Sequence, residues 1–204
     1  MKSQVFSSVA AFLGAFTLCS PSARATDISG TISTTLTITE NSRLVGDVTC
    51  TVTGAPCISI GAAGVTLDLN GYTMTGLGDA QSACGSGGGP AALEDAIDVN
   101  AQTGITIRGP GLVQQFRRFG IRFLNSMGGV VTGVTASTNC FSGIFLTGGS
   151  GHLLENNIAV RNGDPNNPCG AYDLRVALAT TGSVRTGLAA MGLVGQQTIS
   201  ASGL

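Results

Sequence analysis

Four charged residues stand where a repeated phrase would set opposite charges side by side. Asp98 and Arg122 occupy equivalent places in two successive copies, and Asp68 and Arg108 do the same in the strand that follows. A carboxylate beside a guanidinium can hold a divalent cation or a sugar acid and polarise it. On that chemistry Asp98, Arg122 and Arg108 are the candidate catalytic residues, and Asp68 a candidate for substrate binding. Two further acids extend the columns: Asp173 two rungs beyond Arg122, and Glu155 two rungs beyond Arg108. The same arrangement also serves as a set of cross-strand ion pairs with no chemistry at all, and the pattern by itself favours that plainer role.

Arg117 and Arg118 lie between Phe116 and Phe119 in a predicted turn. Such a pair can clamp an anionic sugar bidentately or stand as a solvated corner. The segment Gly163-Asp164-Pro165-Asn166-Asn167-Pro168 offers oxygen ligands for Ca²⁺, or a rigid turn. No C-x-x-C occurs and His152 is the only histidine, so a zinc-type site has no ligand set. His152 opens a strand and is expected at the surface or in a turn. Hydrolysis by paired carboxylates is disfavoured, because there is no D-D pair and no G-H-G phrase.

These residues must be positioned by the repeat. It reads apolar–x–apolar, a small loop ending in Gly, then a second apolar strand. The copies are Cys57–Gly76, Ala96–Phe116, Gly120–Cys140 and Gly143–Gly163. Ala96 to Gly120 is 24 residues and Gly120 to Gly143 is 23. A period in this range belongs to a solenoid, in which one unit cannot bury its apolar face alone and neighbours stack. Alternation sends Ile58/Ile60, Ile97/Val99, Ile121/Phe123 and Ile144/Leu146 inward from the first strand, and Ser59, Asp98, Arg122 and Phe145 outward. The second strand sends Val65/Leu67/Leu69 and Ile105/Ile107 inward. Stacked coils lie about 4.8 Å apart, so Asp98 should meet Arg122 and Asp68 should meet Arg108. Asn70, Asn125, Asn139 and Asn156 fall at turns, where Asn tolerates left-handed backbone and can bond the next coil.

Around the repeats, residues 1–25 have the layout of a secretory signal: Lys2, an apolar Val9–Leu18 and Ala23-Arg24-Ala25 before the cut. The remainder carries eight Arg, no Lys and eleven acids, a net charge of −3. That disfavours nucleic acid and anionic membrane as partners. Abundant Gly, Thr, Val and Ile with sparse Lys, Glu and Gln is β composition. Cys50 and Cys57 bracket the turn T-V-T-G-A-P and are the expected disulfide, which export permits. The count after cleavage is odd, which leaves one thiol over. Ile28–Thr39 reads as a first strand that caps the stack, and Leu77–Asp95 as a long loop projecting from one corner. From residue 177 the rhythm stops. Codons available to residues 177–204 also spell repeat-like phrases in a neighbouring frame, so this tail is expected to be out of frame or disordered.

G-V-T-L-D-L-N-G-Y-T-M-T-G and G-I-F-L-T-G-G-S-G-H-L-L-E-N-N-I-A-V-R-N-G resemble secreted right-handed parallel β-helix proteins, the pectate-lyase-like superfamily. The resemblance covers residues 28–176. It implies an all-β, right-handed parallel β-helix over 26–176, truncated at its C-terminus if the tail is out of frame. It also implies an extracellular or periplasmic protein that binds or processes a polysaccharide, lyase-like and Ca²⁺-assisted if catalytic. The competing expectation is a structural or adhesive surface solenoid. Exposed coil ends would let copies associate.

Overall fold

The computed structural model describes residues 25–78 and 92–163 in full, and the backbone of 172–176 and 182–185. Its strands are β1 (Thr26–Ile32), β2 (Leu36–Ile38), β3 (Ser42–Cys50), β4 (Ile58–Ile60), β5 (Thr66–Asp68), β6 (Thr73–Thr75), β7 (Ile97–Asn100) and β8 (Thr106–Gln114). There follow β9 (Phe119–Met127), β10 (Val130–Ser137), β11 (Ser142–Ser150), β12 (His152–Glu155), β13 (Ile158–Val160), β14 (Tyr172–Val176) and β15 (Gly182–Arg185). The described residues contain no helix.

The chain alternates between two all-parallel sheets. The long sheet runs β1-β3-β5-β8-β10-β12-β15, with β6 and β13 continuing the rows of β5 and β12. The short sheet runs β2-β4-β7-β9-β11-β14. Each coil contributes to both, which is a parallel β-helix. Ile58, Ile97, Ile121, Ile144 and Leu174 pair in succession along the short sheet. Leu67, Ile107, Val131, Leu154 and Val184 do so along the long one. In the rows from Ile58 to Ile144 and from Leu67 to Leu154 the β-branched and aliphatic side chains fill the space between the sheets; Ile58, Leu67, Ile97, Ile107, Ile121 and Val131 have no exposed surface.

Turn chemistry sets the coil boundaries. Gly64, Gly104, Gly128 and Gly151 all have positive φ, and each follows a short-sheet strand. They hydrogen-bond in sequence: Gly64 N–H to Thr103 O, Gly104 N–H to Met127 O, Gly128 N–H to Ser150 O. This column is the Gly that ends the small loop of the repeated phrase. Asn70, Asn125 and Asn156 also take left-handed backbone, as expected of them. Asn139 does not; the left-handed residue there is Thr138.

Three expectations need correction. Ile28–Thr39 is not one strand: it divides into β1 on the long sheet and β2 on the short sheet, because the chain must cross to the other sheet and back in every coil. His152 is not a surface residue: it begins β12 with its side chain inward and is 2% exposed. The row of Asp98 and Arg122 does not reach Asp173: Phe145 pairs with Arg175, so Arg175 holds that position. Residues 79–91, at the heart of the expected loop, and 164–170, over the expected Ca²⁺ turn, lie outside the described residues, as do residues 1–24 of the signal segment. Within the tail, β15 pairs in register with β12 from His152↔Gly182 to Glu155↔Arg185.

Candidate functional site

Among the described residues the densest group of charges lies just before β7 and at the start of β9. Asp95 has no exposed surface and accepts from Arg118 Nε at 2.7 Å; Arg118 Nη2 meets its other oxygen. Arg122 Nε lies 2.9 Å from the same oxygen, and Phe119 N–H donates to Asp95 at 3.3 Å. Arg122 also bridges to Asp98, at 2.9 Å. Next to them Arg117 meets Glu94 at 3.4 Å, and Glu94 accepts the Gly54 N–H at 3.1 Å. Burial pushes the Asp95 carboxyl up, while the hydrogen bonds and charge of Arg118, and the charge of Arg122, pull it down.

This cluster has the residue types of a sugar-acid site but not its accessibility. Arg118 is 5% exposed and Asp98 6%. Asp98 is outward by alternation yet covered. The crevice beside the cluster, lined by Cys50, Val52, Cys57, Glu94, Phe116 and Arg117, is too tight to admit water. Ca²⁺ does not fit here: the carboxylates of Asp95 and Asp98 already face guanidinium groups, and a cation would share their oxygens with two positive charges. Among the described residues no three His, Cys, Asp or Glu side chains converge on one point.

The outer face of the long sheet is the more open feature. Register pairs Asp27 with Arg43, Arg43 with Asp68, Asp68 with Arg108, Arg108 with Thr132, Thr132 with Glu155 and Glu155 with Arg185. The signs alternate along the stack, with Thr132 at the one neutral rung. Arg43 reaches Asp27 at 2.7 Å, and Arg108 Nε reaches Asp68 at 2.9 Å. Both guanidinium groups remain more than half exposed, at 52% and 55%. Four to seven residues further along each coil runs a second row, of hydroxyl and amide groups: Thr31, Thr49, Thr75, Gln114 and Ser137 pair in succession. Gln114 donates to Thr75 Oγ1 at 3.2 Å.

The sequence thus placed both Asp–Arg pairs and the rung of Glu155 where the structure has them. The structure does not join them into one constellation: Asp98 and Arg122 lie on the short sheet, Asp68, Arg108 and Glu155 on the long one. Arg117 and Arg118 take carboxylate partners rather than a solvated corner. Asp95 and Glu94 were missed, although E-D immediately before the second repeat was a visible signal. The Cys50–Cys57 disulfide is present. Cys140 is disulfide-bonded as well.

The interior holds amides as well: Asn139, expected to bond a neighbouring coil, and Asn157 and Asn162, which sequence reasoning missed. Asn139 Oδ1 accepts from Phe116 N–H at 3.1 Å, and its Nδ2 donates to Val113 O and to Asn162 Oδ1. Asn162 accepts the Asn139 N–H at 3.0 Å, and Asn157 accepts the Val134 N–H at 2.9 Å. Each amide satisfies backbone groups at a coil corner where the ladder is interrupted. On the short sheet, Phe119 and Phe145 stack with centroids 4.4 Å apart.

The architecture defines the chain as a parallel β-helix with paired charges on its outer faces. Compared with known proteins, it matches no family model, no curated protein and no solved structure.

Proposed function

We propose that this chain is an exported parallel β-helix that binds an extracellular polysaccharide along the outer face of its long sheet. The observation that carries the reading is the pair of axial rows: alternating Arg and carboxylate in one, Thr, Gln and Ser in the other. Their rung spacing of about 4.8 Å presents the same donors and acceptors repeatedly along a line. A linear, repetitive ligand can use such a face, because the hydroxyl and amide row recurs at every rung and the alternating charges at every second one. The resemblance to secreted β-helix proteins and the signal-like first 25 residues support the setting.

Binding is favoured over lyase chemistry. Arg122 is committed to Asp95 and Asp98, and Arg108 to Asp68. Arginine stays protonated in proteins, so the base that a lyase needs is not supplied by these pairs. A second reading, the structural or adhesive solenoid, is favoured by the same saturation: Arg43, Arg108, Arg117, Arg118 and Arg122 each face a carboxylate.

The test is a glycan-array screen of the purified chain, with and without Ca²⁺, with absorbance of unsaturated product followed on each hit. Binding without product, weakened by Thr49→Val with Thr75→Val, is the expected result. Product release would replace the binding reading with a lyase. A folded chain that binds nothing leaves the structural solenoid.

A further inference from the structure

We propose that His152 is an acid-sensitive latch whose protonation loosens the C-terminal coils of the stack while the N-terminal coils stay closed. The imidazole is 2% exposed and lies edge-on to Phe123, ring centroids 5.3 Å apart. Its Nδ1 accepts the Gly129 N–H at 3.2 Å. That bond fixes the neutral tautomer with the proton on Nε2, and Nε2 is buried without a hydrogen-bond partner.

Adding a proton is opposed twice. The new N–H at Nδ1 would point at the Gly129 N–H, so an attractive bond becomes a meeting of two donors. The charge would also be buried, with the backbone of Ser126 and Gly148 as its polar neighbours. The packing beside the ring is close: a Cβ on Gly129 would lie 2.3 Å from the Phe123 ring and 2.8 Å from His152 Nδ1. Burial accordingly lowers the pKa of His152, and the backbone of Ser126 and Gly148 opposes this less strongly.

Among the residues whose side chains are described, none places a charge against the imidazolium. On β9 the only charged residue, Arg122, points outward to Asp98. β8 carries Arg108, outward to Asp68. β10 and β11 have no charged residue in their spans. On β12 the acid is Glu155, one residue beyond the buried Leu154 and so on the outer face; on β15, Gly182 is opposite His152 and Arg185 opposite Glu155.

The sign follows. A histidine whose folded pKa is depressed stabilises the fold above its unfolded value of about 6.5 and loses that contribution as pH falls toward the folded value. A solenoid is close to one-dimensional, so strain at one coil interface opens the coils beyond it and not those before it. His152 sits at the β10–β12 interface. The coils before it carry the Cys50–Cys57 disulfide and the Asp95 cluster.

Hydrogen exchange of the full chain at pH 7.5 and pH 5.5, corrected for intrinsic rates, tests this. Between those values the opening constant should rise by up to about tenfold. The amides of β10, β12 and β13 should lose protection and those of β1 to β4 should keep it. The His152→Asn variant, whose carbonyl can accept from Gly129 without titrating, should show no such pH response. An equal response in all coils, or an unchanged response in the variant, would overturn the proposal. Should the variant fail to fold, an NMR titration of the unaltered chain decides alone: a folded imidazole that titrates near 6.5 refutes it, and one that stays neutral through that range supports it.

Discussion

Asp95→Asn should cost the fold about 3–5 kcal/mol, the range for breaking a buried ion pair by removing one partner. The substitution keeps the volume and removes the charge. Two opposing effects meet at this residue. Asp95 has no exposed surface, so its charge is costly to keep; it also receives Arg118 through two nitrogens, Arg122 through one, and the Phe119 N–H. An Asn at this position offers one oxygen instead of two. Its amide nitrogen would then point at a guanidinium N–H, and Arg118, with a side chain only 6% exposed, would keep its charge without a full partner. The lost charge-assisted bond alone is worth about 1.5–3 kcal/mol, and the donor–donor contact adds to it. Urea denaturation of the full chain at pH 7 reads the change as a shift of midpoint at constant slope. Adding Arg118→Met should recover part of the loss, by about 0.5–3 kcal/mol of coupling. A loss under about 1 kcal/mol, or a gain, would show that desolvation outweighs both guanidiniums and would refute the reasoning.

Gly149→Ala should destabilise the β9–β11 contact by about 1–3 kcal/mol, since a Cβ there would lie 1.7 Å from Ser126 O at a φ of +85°; thermal unfolding measures it, and an unchanged midpoint would contradict the register of these strands. Asn139→Leu strands the Phe116 N–H and removes a donor from the Val113 carbonyl and from Asn162 Oδ1, and a loss near 3 kcal/mol with faster exchange at Phe116 is expected from denaturation and hydrogen exchange. Replacing Cys50 and Cys57 by Ser opens a loop of sequence separation 7, for which chain entropy gives about 2.5 kcal/mol; equal stability of the reduced and oxidised chain would argue against that account. Arg43→Gln removes a pair that is half exposed on both sides and should leave the melting temperature unchanged, with or without added salt.

The sequence by itself determined whatever depends on period. Alternation by two named the inward rows, and an offset of 23 or 24 residues put Asp98 beside Arg122 and Asp68 beside Arg108. Both follow because a parallel coil returns each residue to its equivalent one rung away. The disulfide was legible for a similar reason: Cys50 and Cys57 flank a turn too short to point them apart. The tertiary structure decided whatever depends on corners. Asp95 reaches Arg118 and Arg122 from the corner just before β7, and no spacing rule fixes which side chains meet at a corner. His152 looked like a turn residue because it follows Gly151. The left-handed backbone of that glycine completes the bend one residue earlier and turns the imidazole inward. Asn157 and Asn162 became interior ligands of the backbone because the ladder is interrupted at each corner and its freed N–H groups need acceptors. Repetition sets which residues are neighbours along the axis; the path of the backbone through each corner sets which of them face water.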